Sequence, residues 1–303
     1  MQKRKLNYLL IPLLACIWGS SFILMKKGMF TNSGAPVYSA AQVASIRISL
    51  AGFVFIPLFI RLYRKLRQKT DLFYFSIVGL GGNLIPAYLF TYAEKTLPSG
   101  IAGIMNSFTP IFTIIIGFLL FRSKVSFSQL LGTLIGFLGI TWLILLNSHP
   151  NSGHFYIAPA LAILLATALY GLSLNTIKHK LSYYNPIEIA TGGFSLAFLP
   201  AFIGFFIFDT TYVLKHHPQA LNSLIYILIL GLIGTAFAVV LFNRIIAQTS
   251  ALAASTVTYF IPIVAVGIGL WSGEKLIFEQ FLAMLVIIGG VLLVNWKGKK
   301  ATY

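Results

Sequence analysis

The chain has 303 residues, of which 58% are apolar and 9% charged, with a net charge of +16 and a mean hydropathy of +0.88. Soluble domains carry near a quarter charged residues, and six acidic side chains cannot clothe a globule of this size, so composition argues for a polytopic membrane protein and against a soluble or nucleic-acid-binding domain. One cysteine, Cys16, leaves no disulfide frame and no thiolate metal site.

Ten runs are long and apolar enough to cross about 30 Å of hydrocarbon. They cover residues 8–26, 38–60, 72–92, 98–120, 128–147, 156–176, 187–208, 222–242, 248–270 and 277–296. None alternates like a barrel strand, so each is read as an α-helix. The first is longer than a signal-peptide core and ends without a small-residue cleavage site, which predicts a retained span. Basic residues in the connections predict orientation. Sixteen fall on the side of the N-terminus, five on the other, and Arg47 lies within a span. Both termini are therefore expected in the cytoplasm, with the bilayer of a bacterial inner membrane as the chain's partner.

The first span carries "ACIWGSSFILMKKG" at residues 15–28. Trp18 beside Gly19 is a candidate cavity wall or gate, since glycine admits a neighbouring helix; packing or an interface belt is the alternative. Ser21 is a small polar candidate, although a hydroxyl also bonds back to its own helix. In the second span Arg47 lies nine or ten residues deep, about 14 Å at 1.5 Å per residue. Its planar fork suits a cargo carboxylate; the alternative is a structural network of carbonyls and hydroxyls. Asn83, Tyr88 and Tyr92 are the third span's candidates. In the fourth, Asn106 precedes Pro110 by four residues, so the proline frees the carbonyl of Asn106 for cargo or water. "GTLIGFLG" in the fifth sets Gly132, Gly136 and Gly139 on a packing face, within a monomer in preference to a dimer contact. The sixth carries "TALYGLSLNTIKHK", with Tyr170, Ser173 and Asn175, and the ninth carries Thr258, Tyr259 and Pro262. Pro110 and Pro262 are candidate hinges.

The first and sixth spans match with Trp18 and Tyr170 separated by 152 residues, and the offset persists through "GLGGNLIPAYLF" and "GLIGTAFAVVLF". Residues 1–149 and 150–303 are therefore read as two copies of five spans. An odd count places the second copy upside down, the arrangement of alternating-access transporters. His149, His154, His179, His216 and His217 fall in connections or at their edges, and Glu94, Asp209, Glu274 and Glu279 fall outside or at helix ends. Asp71 and Glu188 stand at the inner mouth. No catalytic cluster, metal site, cofactor motif or P-loop emerges, which leaves a membrane-embedded enzyme or scaffold as lesser readings. Proton coupling, exchange and facilitated diffusion all stay open.

"IWGSSFILMKKG", Arg47, "NSFTPIF" and "GEKLIFEQ", in this order, resemble the drug/metabolite transporter superfamily. The closer resemblance is to its ten-span branch of two EamA-type domains, over almost the whole chain. The resemblance implies a central cavity lined by the first, third, fourth, sixth, eighth and ninth spans, and outward movement of an amino acid or small metabolite. Carriers of phosphorylated metabolites are more distant relatives and would keep several cations in the cavity; this chain has one central arginine. Exchange or import of such solutes is the alternative. The chain departs from the family at "FRSK", where Ser123 replaces the acid that Glu274 supplies in the second copy.

Overall fold

The computed structural model describes residues 2–147, 157–248 and 257–295, apart from the side chains of residues 2–9, 144, 147, 246–248, 259 and 295. Among the described residues ten long helices follow one another: α1 (Gln2–Met29), α2 (Ala40–Tyr63), α3 (Thr70–Ala93), α4 (Ser99–Phe121) and α5 (Phe127–Asn147), then α6 (Ile157–Lys180), α7 (Pro186–Ile207), α8 (Ala220–Ile245), α9 (Val257–Trp271) and α10 (Phe278–Asn295). The stretch between the seventh and eighth spans contains a short helix, Thr210–His216. Seven of the ten are long and apolar enough to span a bilayer, and α5, α9 and α10 contribute the shorter apolar helices Phe127–Leu143, Phe260–Trp271 and Phe278–Val294. Large apolar side chains such as Phe53, Leu119, Leu134 and Ile203 face outward, as lipid requires. The protein is an all-α polytopic membrane protein.

Short connections make successive helices antiparallel, so five helices later the second unit starts upside down. Their packing obeys the same exchange. α1 packs on α9 as α6 packs on α4, α1 meets α8 as α6 meets α3, and α2 meets α8 as α7 meets α3. Two pairs map onto themselves, α2 with α7 and α5 with α10. Repeat-equivalent glycines permit close crossings. A Cβ on Gly19 would stand 2.6 Å from Val264, and one on Gly171 2.8 Å from the backbone nitrogen of Thr113. The fifth-span glycines are consumed within the chain: Gly132 faces the Gly290 carbonyl, Gly139 faces Ile287, and Gly136 faces Ile111 of α4.

Capping explains a change of register between the copies. Ser39 and Gln42 form a capping box at the start of α2, and Asn185 with Glu188 forms the same box at α7. The caps are 146 residues apart, six fewer than in α1 and α6, because the α6–α7 connection is shorter. The counterpart of Arg47 is thereby Gly193. Inside each unit the third helix also carries a π-helical segment, Ile77–Leu84 in α3 and Leu232–Phe237 in α8. Asn83 Nδ2 donates to the Val78 carbonyl at 2.9 Å, and Thr235 Oγ1 donates to the Leu230 carbonyl at 2.9 Å. Both bonds reach five residues back, at repeat-equivalent positions. Such segments displace side chains from the regular helical register and recur at functional sites.

Candidate functional site

The α1, α3, α4, α6, α8 and α9 helices enclose a cavity of about 430 Å³, with α2 contributing Arg47 and Ile48 and α7 contributing Ile189 and Ala190. That volume lies within the range of small-molecule sites. Much of its wall is apolar: Trp18, Phe22, Met25, Phe90 and Tyr170 line it together with Arg47. Trp18 meets Phe242 edge-on at 4.9 Å, and Tyr170 stacks on Phe90 at 6.0 Å. Arg47 Nε donates to Thr235 Oγ1 at 2.6 Å and one Nη contacts Met25 Sδ at 3.6 Å. Thr235 thus accepts from the arginine while holding its π-helical segment. These contacts leave guanidinium N–H groups toward the chamber. Asn83, Asn106, Thr109 and Thr258 add polar lining, and among the described lining residues none is acidic.

The cavity continues to one end of the bundle, past Asn175, to Ser123, Lys124, Gln129, Lys178 and Asn243. Arg122 closes α4 in the left-handed region, φ 53°, and the next amide, Ser123 N–H, donates to the Gly117 carbonyl at 2.9 Å. Asn175 Nδ2 donates to the Thr113 and Gly171 carbonyls at 2.8 and 2.9 Å, tying α6 to α4 beside this mouth.

The opposite end is shut. Lys26 of α1 pairs with Glu274, in the connection between α9 and α10, at 2.7 Å. The same carboxylate accepts the N–H of Ser99 at 2.9 Å and of Gly100 at 3.3 Å, which caps α4. Burial works against the Glu274 charge, but Lys26 and these amides more than offset it and hold the carboxyl below its usual range. Repeat symmetry maps Lys26 to Lys178 at the offset of 152 and, where the offset falls to 151 after the fourth span, Glu274 to Ser123. Serine cannot form that ion pair, so the mouth lacks the latch that closes the other end.

The candidate residues divide sharply by place. Trp18, Ser21, Arg47, Asn83, Asn106, Pro110, Tyr170, Asn175 and Thr258 line the cavity, as does Ser173. Ser21 also donates to the Ile17 carbonyl at 2.9 Å, and Asn83 is bonded within its own helix. Tyr88 stands elsewhere: its hydroxyl bonds Ser45 at 2.6 Å and its ring packs on Phe208, because its position on α3 faces α2 and α7. Tyr92 is 46% exposed and off the cavity, one helical turn nearer the closed end. The Asn106 carbonyl is not free, since Thr109 donates to it through both N–H and Oγ1. Around it the helix tightens to a 3-10 turn, Asn106–Phe108, just before Pro110. Pro262 sits inside the continuous α9 helix. The Tyr259 side chain lies outside the described residues, as do Trp296, His149 and His154.

Two functional candidates are not legible in the linear chain. Thr235 is reached only through its equivalence to Asn83, and its proximity to Arg47 depends on helix packing. Glu94 follows the end of α3, yet its side chain is 0% exposed.

The profile of the EamA-like transporter family matches residues 5–145 and again 157–296. The chain is 28% identical over 286 residues to YedA, an uncharacterised inner membrane transporter of Escherichia coli K12, covering 92% of this chain and 87% of YedA. It is 25% identical over 290 residues to an uncharacterised transporter of Archaeoglobus fulgidus, covering 95% and 96%. A probable terminal-alkyne amino-acid exporter of Streptantibioticus cattleyicolor is 24% identical over 286 residues, covering 92% and 89%. One solved crystal structure aligns over 94% of each chain with a TM-score of 0.58 and 16% identity, a likeness of fold alone.

Proposed function

The chain belongs to the EamA-like transporter family, and on that premise we propose that it exports a small amphipathic metabolite, an amino acid above all, across a bacterial inner membrane by alternating access. The carrying observation is a chamber shut at the Lys26 end, open at the Lys178 end, and holding one deep guanidinium among aromatic rings. The bias of basic residues assigns the open mouth to the cytoplasm and both termini to the same side. On this assignment the structure is the inward-open state.

The lining supports each part of such a cargo. Unspent Arg47 donors suit the carboxylate, the amide oxygens of Asn106 and Asn83 suit an ammonium, and Trp18, Phe90 and Tyr170 suit an apolar side chain. The name of the Streptantibioticus relative mentions an amino acid, and that statement concerns the relative. The α5–α10 crossing consumes the glycine face, which supports a monomer as the working unit.

Counterflow in proteoliposomes tests this reading against a panel of amino acids, amines and sugar phosphates. Exchange of amino acids in preference to the others is expected. Preference for sugar phosphates would replace the cargo class, and absence of exchange for every class would argue against this carrier reading. Within this assay Asn106→Ala is expected to lower cargo affinity about threefold to tenfold, the worth of one ordinary hydrogen bond. Unchanged affinity in the inserted variant would remove Asn106 from the site. Ser123→Glu should restore the missing latch with Lys178, reducing inward opening and slowing exchange severalfold. Unchanged access of thiol reagents at the cytoplasmic mouth would refute this account of the asymmetry.

A further inference from the structure

Glu94 lies at the closed end, where α3 gives way to the connection leading into α4. Its side chain is 0% exposed, and neither carboxylate oxygen has a hydrogen-bond partner among the described residues. A buried charge normally demands both a counterion and hydrogen bonds. Lys26 from α1 is the cation that acts on it most strongly, but its ammonium is engaged by Glu274 from the α9–α10 connection. Arg47 from α2 also acts on Glu94, while its Nε is spent on Thr235. Glu274 adds a like charge. The closed end therefore supplies shielding from water without the partners that an ionised carboxylate requires.

We propose that Glu94 is a proton-binding site whose occupancy closes the extracellular end of the carrier. The inference rests on the alternating-access reading and adds the proton as its ligand. During closure one proton passes from the external water to a Glu94 oxygen, the carboxylate becoming a neutral carboxylic acid. During opening Lys26, Glu274 and the start of α4 separate, water reaches Glu94, and the proton returns outside. This step senses external pH and by itself carries no proton across the membrane.

The sign follows from burial. Desolvation pushes the Glu94 carboxyl well above its usual range; Lys26 offsets part of this, Glu274 adds to it, and Arg47 offsets part again. The closed state therefore binds the proton more tightly than the open state, whose solvated carboxyl has an ordinary value. Between those two values, lowering pH favours closure and raising it favours opening, by at most about tenfold per pH unit for one proton. Below the ordinary value both states are protonated and the dependence vanishes.

Access from outside reads this directly. Ser99 is 1% exposed at the closed end, and its hydroxyl has no hydrogen-bond partner among the described residues. Ser99→Cys, in a Cys16→Ala background, is labelled on right-side-out membranes with an impermeant maleimide at a series of external pH values. Dividing each rate by that of the same protein carrying Glu94→Gln removes the thiol's own pH dependence. The ratio should rise with pH, by up to about tenfold per unit, while Glu94→Gln stays closed throughout. A pH-independent ratio, with the introduced thiol reachable, overturns the proton proposal and leaves the transport reading intact. Should the glutamine variant fold poorly, the labelling rate of Ser99→Cys divided by that of Ser33→Cys, exposed in the external α1–α2 connection, gives the same test with Glu94 in place. A Ser99→Cys thiol unreachable at every pH, together with unvarying labelling of Ser123→Cys on inverted membranes, would overturn both readings.

Discussion

Arg47→Met is expected to weaken cargo binding about 10- to 150-fold, the loss that follows when a charge-assisted hydrogen bond worth about 1.5–3 kcal/mol disappears. Methionine retains much of the apolar stem while removing the cation at the deep end of the chamber. The bundle itself should change little. Thr235 keeps its bond to the Leu230 carbonyl when the guanidinium is gone, so the π-helical segment of α8 remains closed. Arg47→Lys should fall between the two, because an ammonium restores charge without the planar fork. Concentration dependence of counterflow measures the affinity, and thermal unfolding in detergent measures the bundle. Unchanged affinity with a lower unfolding temperature would make Arg47 a structural residue.

Gly290→Leu should cost about 3 kcal/mol or more and prevent α5 and α10 from seating. A Cβ there stands 2.6 Å from the Gly136 nitrogen and 2.8 Å from the Gly132 oxygen. Backbone atoms of a packed helix cannot swing aside as the end of a flexible side chain can. Its neighbour provides a matched control, since a Cβ on Gly289 meets nothing within 4 Å. Gly289→Leu should therefore be neutral, or stabilising by up to about 1 kcal/mol through the better helix propensity of leucine. Thermal unfolding and monodispersity in detergent separate the two. Equal behaviour of both variants would mean that the α5–α10 crossing is not where the structure places it.

The pairing of these glycines illustrates how far a linear reading reaches. "GTLIGFLG" identifies a close-packing face, yet its partner could have been another helix of the same chain or of a second copy. Gly290 decides between them, because the partner face lies more than a hundred residues away. Tyr88 and Tyr92 teach the complementary lesson. Both lie on a cavity-forming helix, but Tyr88 faces α2 and α7 and Tyr92 is exposed. The π-helical segment preceding them changes the helical register, so regular spacing does not identify their inward faces.

Bilayer thickness and gene-scale duplication are written along the chain. Apolar length, short connections and two copies of the same pattern therefore determined an all-α membrane protein of two inverted units from sequence alone. Where Arg47 finds its partner, why Glu94 loses water, and which end of the chamber is shut were decided only by tertiary packing. The six-residue shortening before α7 sets Gly193 in the place corresponding to Arg47, and the meeting of α1, α4 and the α9–α10 connection seals one end. Those are contacts between segments distant in sequence, and their energies depend on helix rotation and burial that no linear spacing contains.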